Sequence, residues 1–292
     1  MSIKKLSLGD RAFYIFDYFI IALVICATLY PFIYIFSASV SDGGPLGRGE
    51  VWLLPKGFNL NAYKTVMKDN TIWQSYYNTI WYVVVGTTIN IFMTTITAYP
   101  LSRRKFSARN TIMMFIAFTM FFGGGLVPTY LLIRDLHLLN TRWAIVLPAA
   151  ISTWNLIIMR SFFEGIPESL HEAATIDGCS ELKILVKIFL PLSIPVMAVM
   201  VLFYAVGHWN SYFSALMYIN DQDKYPLQIY LRKILIQYEQ NDILQDVNQG
   251  RDVVAQSVRY AIIIVSTVPI LMIYPFLQKY FVKGVMIGAI KG

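Results

Sequence analysis

Along this chain, long runs without a charged residue alternate with short polar segments. The first such run, Tyr18 to Ser41, is bounded by Asp17 and Asp42. Further runs lie within Asn70–Ser102, Asn110–Ile133, Trp143–Met159, Ile188–Asn220 and Tyr260–Gln278. A bilayer core takes about 20 helical residues, so the pattern predicts spans over 14–38, 76–100, 110–132, 142–160, 190–218 and 258–280. The expected fold is all-α, one polytopic membrane domain over 1–292 with six transmembrane helices. The fourth span is short and carries Pro148, and Gly123-Gly124-Gly125 interrupts the third. At membrane depth such a break must be covered by protein or water. The basic start (Lys4, Lys5, Arg11) resembles that of a signal peptide. The apolar run after it exceeds the roughly 7–15 residues of such a peptide, so it reads as an uncleaved first helix with Asp17 at its interfacial end.

The segment 161–190 breaks this rhythm. Glu172 to Pro191 reads EAATIDGCSELKILVKIFLP, a polar island between apolar runs. Pro167 and Glu168 suit a helix start. Leu170, Ala173, Ala174 and Asp177 would share one face of that helix at i, i+3, i+4 and i+7. Gly178 follows as a stop, because glycine enters the left-handed region without a Cβ clash. Ser180 can cap a second helix, with Ile184, Leu185 and Ile188 on its apolar side, ended by Pro191. The reading is helix, glycine corner, helix.

These residues resemble the EAA signature of binding-protein-dependent ABC importer permeases. Glu172-Ala173-Ala174 is followed after three residues by Gly178, and after nine more by Ile188-x-Leu190-Pro191. The tail FLQKYFVKGVMIGAIKG, Phe276 to Gly292, resembles that of maltose-type sugar permeases. The resemblance implies that the island is a cytoplasmic coupling helix-turn-helix docking on an ATPase. Its contact residues would be Glu172, Ala173, Ala174, Asp177, Gly178, Ile188, Leu190 and Pro191. It also implies a second permease subunit (a heterodimer being favoured), two ABC ATPase subunits and an extracytoplasmic solute-binding protein. The cargo would be a sugar or oligosaccharide, moved across the bacterial plasma membrane by alternating access. ATP and Mg would be bound by the partner ATPase, with no cofactor in this chain.

Composition and charge add limits. Of 292 residues, 57% are hydrophobic and 14% charged, against about 25% charged in soluble domains. The net charge of +7 resides in short clusters beside apolar runs, not in a nucleic-acid-binding surface. Arg103, Arg104, Lys105 and Arg109 form one acid-free loop, and Lys279, Lys283 and Lys291 an acid-free tail. With six spans these and the N-terminus share one side, which the positive-inside rule makes cytoplasmic together with both termini. The polar loops Asp42–Asp69 and Asp221–Ser257 then lie outside. In the latter, Pro226 to Tyr238 can form an amphipathic helix with Leu227, Tyr230, Leu231 and Ile234 on one side, lying on the membrane or docking the binding protein. Two cysteines and three scattered histidines offer neither a disulfide framework nor metal-ligand spacing. No G-x-x-x-x-G-K-[ST] loop is present, so the chain lacks the usual device for holding ATP.

Sugars are met by aromatic faces and by amide or hydroxyl groups. The fifth span offers His208, Trp209, Asn210 and Tyr212, and the fourth and second spans add Asn155 and Asn90. Successive helical positions turn by about 100°, so these four would not all face one cavity, and His208 and Tyr212 would share a face. Each equally suits helix packing, a common use of Asn in membranes. A phosphonate, polyamine or peptide cargo stays open on the EAA motif alone. An integral-membrane enzyme would need converging ionisable groups that these spans hardly contain.

Overall fold

The computed structural model describes residues 7–244, 256–272 and 275, which form helices joined by turns with no strand among them. In chain order the helices are α1 (Leu8–Ser39), α2 (Gly43–Gly47), α3 (Asn61–Lys68), α4 (Asn70–Ser102) and α5 (Arg109–Phe121). Next come α6 (Leu126–Asp135), α7 (Trp143–Val146), α8 (Thr153–Glu164), α9 (Glu168–Ile176) and α10 (Glu181–Ile184). The rest are α11 (Leu190–Leu192), α12 (Ile194–Trp209), α13 (Phe213–Tyr218), α14 (Leu227–Leu244) and α15 (Gln256–Met272). The tail 276–292 lies outside the described residues. The described residues group into two units, 7–69 with 231–244 and 256–267, and 70–230 with 268–272 and 275.

In the first unit, α1 opens with a reciprocal cap: the Ser7 hydroxyl accepts from the Asp10 amide, and the Asp10 carboxylate accepts from the Ser7 amide. None of its most apolar stretch is buried among the described residues, which suits a helix solvated by lipid or by another chain. Only its end is packed, where Ala38 joins Leu46 and Val51 beneath Tyr260. Serines close that end: Ser37 donates to Leu53 O at 2.7 Å, Ser41 to Ser37 O at 2.6 Å, and Ser257 to Ser41 O at 3.1 Å.

The second unit is arranged around α4, against which α8 and α12 pack. Asn78, Tyr82, Gly86, Asn90, Thr94 and Ala98 recur every four residues along α4, and all are buried. This spacing draws a buried stripe, polar except at Gly86 and Ala98, that winds slowly around an otherwise apolar helix. Gly86 serves close approach, because a Cβ there would collide with the His208 ring. Below this level the core is built from Tyr99, Met159, Phe163, Ala174, Ile184, Phe189 and Met200.

The expected spans are more broken than their hydropathy suggests. Among the described residues, α1 and α4 are single helices long and apolar enough to cross a membrane. The third span bends by 114° between α5 and α6, at the glycine triplet. Over 142–160 there are two helices rather than one, because the chain leaves helical geometry between α7 and α8, around Pro148. The fifth also begins bent, by 84° between Glu181–Leu192 and α12. Residues Leu185–Phe189 form a widened π turn just before Pro191. Proline lacks an N–H and crowds the carbonyl four residues back, and a widened turn accommodates it.

The Gly86–His208 fit can be tested by thermal unfolding in detergent. Gly86→Ala should lower stability by about 1–3 kcal/mol, the usual cost of overpacking. Gly207→Ala, where a Cβ meets nothing within 4 Å, should instead gain about 0.5–1 kcal/mol from helix propensity. Equal melting temperatures in the two variants would refute the tight approach.

Candidate functional site

Two places collect the candidate residues. The first is the foot formed by α9, the Gly178 corner and α10. Asp177 ends α9 at its C-cap position, and Gly178 takes the left-handed conformation at φ 74°. The Cys179 amide then donates back to Ala174 O at 3.0 Å, which closes the corner. Pro167 and Ser180 occupy the two N-cap positions, although the Ser180 side chain makes no cap hydrogen bond. Of the four residues expected to share one face, only Ala174 is turned inward. His171 and Ala174 are buried, whereas Leu170, Glu172, Ala173, Ile176 and Asp177 are exposed. Ile176 is 86% and Leu182 69% exposed, an apolar surface that the foot's own packing does not use. Glu172 makes no ion pair among the described residues, and Ile188, Leu190 and Pro191 belong to the turn that leads into α12.

The foot is tied to the lower end of α4 by groups the sequence reading passed over. The Tyr99 hydroxyl donates to Glu181 Oε2 at 2.7 Å, and His171 Nε2 lies 3.1 Å from the same oxygen. Arg103, nearly buried, donates to Phe163 O at 2.9 Å and faces Glu168 at 3.5 Å, with its guanidinium 4.4 Å from the Phe189 ring centroid. Arg160 donates to Leu101 O at 2.9 Å. The signal for Arg103 was present as part of the basic loop, but topology alone claimed it. The Glu181 carboxyl is held below the usual carboxylate range, chiefly by the Tyr99 hydroxyl and further by His171 and Arg103, against the opposing effect of burial.

The second place is a cavity of about 500 Å³. Asn155, His208, Asn210 and Tyr212 all line it, with Ser152, Tyr204, Ser211, Phe203 and Phe213. His208 and Tyr212 do not meet as an i, i+4 helical pair. Helix α12 ends at Trp209, Asn210 caps it, and Tyr212 sits at φ −124° before α13. The unwound stretch lets Asn210 and Tyr212 reach one cavity with His208, which a continuous helix would forbid. Trp209 turns away and packs on Tyr76, ring centroids 6.5 Å apart. Asn90 stands behind the cavity: its Oδ1 lies 2.6 Å from His208 Nε2, while its Nδ2 donates to Ala149 O. Tyr204, unforeseen, shares a 2.7 Å hydrogen bond with Thr94 and accepts from the Ser152 amide at 3.1 Å. No Asp, Glu, Lys or Arg contributes to the lining. Among the described residues no group of histidines, cysteines and carboxylates could hold a metal ion.

A bent, all-helical chain with this foot is matched by a family model described as binding-protein-dependent transport system inner membrane component, over residues 90–287. The chain belongs to this family. It is therefore an integral membrane permease subunit of an ABC importer rather than an enzyme, and it works with the other components of such a system. Protein LplC of Bacillus subtilis (strain 168) is 44% identical over 265 residues, 91% of this chain and 90% of that protein. The polygalacturonan/rhamnogalacturonan transport system permease protein YtcP of the same organism is 40% identical, covering 95% of this chain and 97% of its own. Among solved structures, a bacterial ABC transporter involved in import of the acidic polysaccharide alginate superposes with a TM-score of 0.86 at 37% identity. It covers 94% of this permease and 99% of that chain.

The clamp on Glu181 gives a prediction with a definite sign. A carboxyl whose pKa is lowered by folding adds stability above its unfolded value, and this is lost as pH falls through the lowered folded value. Tyr99→Phe removes the largest cause of the shift. The melting temperature of this variant should be lower near neutrality, and should fall less than that of the wild type between about pH 6 and pH 3. Parallel curves for the two proteins would show that the hydroxyl does not hold the carboxylate.

Proposed function

We propose that this permease carries a saccharide through the plasma membrane, with the cavity at the end of α12 as part of its path and the foot as its contact with an ATPase. The cavity is the observation that carries this reading. Its lining pairs aromatic faces with amides and hydroxyls and contains no ionised group, which matches the alternating C–H and O–H surface of a sugar. Saccharide cargo recurs among the relatives, since YtcP is a polygalacturonan/rhamnogalacturonan permease and the solved neighbour imports alginate, although both of those polymers are acidic. A phosphonate or polyamine would call for a charged partner in the path, and the lining provides none.

The proposed topology has six crossings. They are α1, α4, the bent pair α5–α6, the broken segment α7–α8, α12 and α15. Both termini and the foot are cytoplasmic, on the side of Arg103, Arg104, Lys105 and Arg109. The complex would comprise a second, homologous permease, two ATPase subunits that hold ATP and Mg, and an extracytoplasmic solute-binding protein. Closure of the ATPases would displace the foot. Because Tyr99 and Arg103 tie the foot to the lower end of α4 through Glu181 and Glu168, and Asn90 ties α4 to the cavity wall, one helix would carry that displacement to the path.

The test is the complete complex in proteoliposomes, with the binding protein first matched to its ligand by thermal stabilisation across an oligosaccharide panel. A saccharide should be taken up and should stimulate ATP hydrolysis. Glu172→Ala removes an exposed, unpaired acid from the outer face of α9, and Gly178→Val forces a β-branched residue into the left-handed region. Both should insert normally and assemble, yet lower uptake by about ten-fold or more. Wild-type uptake in Gly178→Val would count against the corner as a coupling element, and uptake of no saccharide by the wild type would overturn the cargo.

A further inference from the structure

Asn90 is oriented by two different neighbours. Its Nδ2 donates to the Ala149 carbonyl, so its Oδ1 is the end that faces His208 Nε2, at 2.6 Å. An amide oxygen only accepts, and the hydrogen between them must therefore belong to Nε2. Gly86 holds the ring in this place, because any Cβ there would strike Nε2, Cε1 and Cδ2. No carboxylate lines the cavity, so nothing compensates a charge on the ring, and a buried uncompensated charge is strongly disfavoured. The imidazole thus carries one proton, on Nε2, and presents a lone pair at Nδ1. Among the described residues Nδ1 has no protein partner, and it is not one of the sealed, unsatisfied buried atoms. His208, 6% exposed, meets open space at the cavity that it helps to line.

We propose that His208 Nδ1 is a fixed hydrogen-bond acceptor for a saccharide hydroxyl, so that this cavity recognises neutral sugar units and disfavours uronate carboxylates. The inference rests on the saccharide reading above and narrows it. A hydroxyl has a hydrogen to give to Nδ1, whereas an ionised carboxylate has only lone pairs. A carboxylate set against Nδ1 would be desolvated without a donor there, and no Lys or Arg in the lining would compensate its charge. Asn90 and Gly86 act as positioning residues, one fixing the tautomer and the other the place of the ring.

The test separates the two ring nitrogens. In His208→Asn the amide oxygen can take the place of Nδ1, and the contact with Asn90 is lost. In His208→Gln the amide reaches the place of Nε2, and the acceptor at Nδ1 is lost. Uptake by the full complex in proteoliposomes is measured with galacto-oligosaccharides and with oligogalacturonides of matched length. The wild type should favour the neutral oligomers. His208→Asn should keep uptake within about two- to three-fold, while His208→Gln and His208→Phe should lose about ten-fold or more. A purely structural role, through the bond to Asn90, predicts the reverse order for Asn and Gln, and that order would overturn the proposal. So would a wild-type preference for oligogalacturonides, even though the saccharide reading would then stand. Uptake of neither sugar class by a complex active on another cargo would remove both. Independently, ¹⁵N spectra of histidine-labelled protein should show His208 protonated at Nε2 and bare at Nδ1, and should lose this preference in Asn90→Leu. A proton on Nδ1 in the wild type would refute the assignment without any transport measurement.

Discussion

A helix that breaks within an apolar environment exposes carbonyls and amides that water cannot reach, and each must find a partner in the protein. This constraint accounts for the composition of α4. Where the chain unwinds between α7 and α8, Asn90 reaches the Ala149 carbonyl. Beyond α13, where the chain enters the loop expected outside the membrane, the same helix still supplies partners: Asn78 takes the carbonyls of Asp223 and Tyr225, Tyr82 takes that of Lys224, and Thr79 accepts from the Leu227 amide. At the lower end Arg103 takes the Phe163 carbonyl. The polar stripe on α4 is thus a set of partners for backbone that left helical geometry elsewhere.

Once the stripe is engaged in this way, α4 cannot slide or rotate without uncovering several buried groups at once. Each would cost about 1–3 kcal/mol if left unpaired. That cost makes α4 the stiff member of its unit and lets the foot and the cavity rest on the same element. The foot holds its lower end through Tyr99 with Glu181 and Arg103 with Glu168, and the cavity wall holds it through Asn90 and Thr94. Both ends combine packing with polar pins. Phe163, Phe189 and Tyr99 stack edge to face around the lower pins, and Tyr82 packs with Ile145, Val146 and Ala215 towards the other end.

The exposed apolar side chains follow the same division. On the foot, Ile176 and Leu182 stand out from a surface whose inward face, His171 and Ala174, is already covered. In a family whose members act within larger assemblies, such residues are suited to contact with another subunit. The bare length of α1 belongs with them. Its serine-rich end is fastened within its own unit, while none of its most apolar stretch is buried among the described residues.

By itself the sequence determined what depends on neighbouring residues along the chain. Hydropathy marked where the chain is apolar enough for a bilayer. The local chemistry of Gly178 marked the corner of the foot and the glycine triplet the break between α5 and α6, whereas the helix expected to end at Pro191 runs through it to Leu192. The spacing of Glu172, Gly178 and Ile188 was enough to indicate the family, because it records a short-range turn. The tertiary structure decided what depends on where helices stop and on what they meet. Hydropathy carries no sign of the unwinding after Trp209, yet that unwinding brings Asn210 and Tyr212 to one cavity with His208. Nor does periodicity show that His171 is buried on α9, because its partner Glu181 and that carboxylate's other partner, Tyr99, lie at sequence separations of 10 and 72. Asn90 and His208 were each conspicuous as polar residues in apolar runs. That they meet, and which nitrogen holds the proton, follows only from Gly86 and Ala149 lying beside them, since a hydrogen bond is fixed by positions in space rather than by order along the chain.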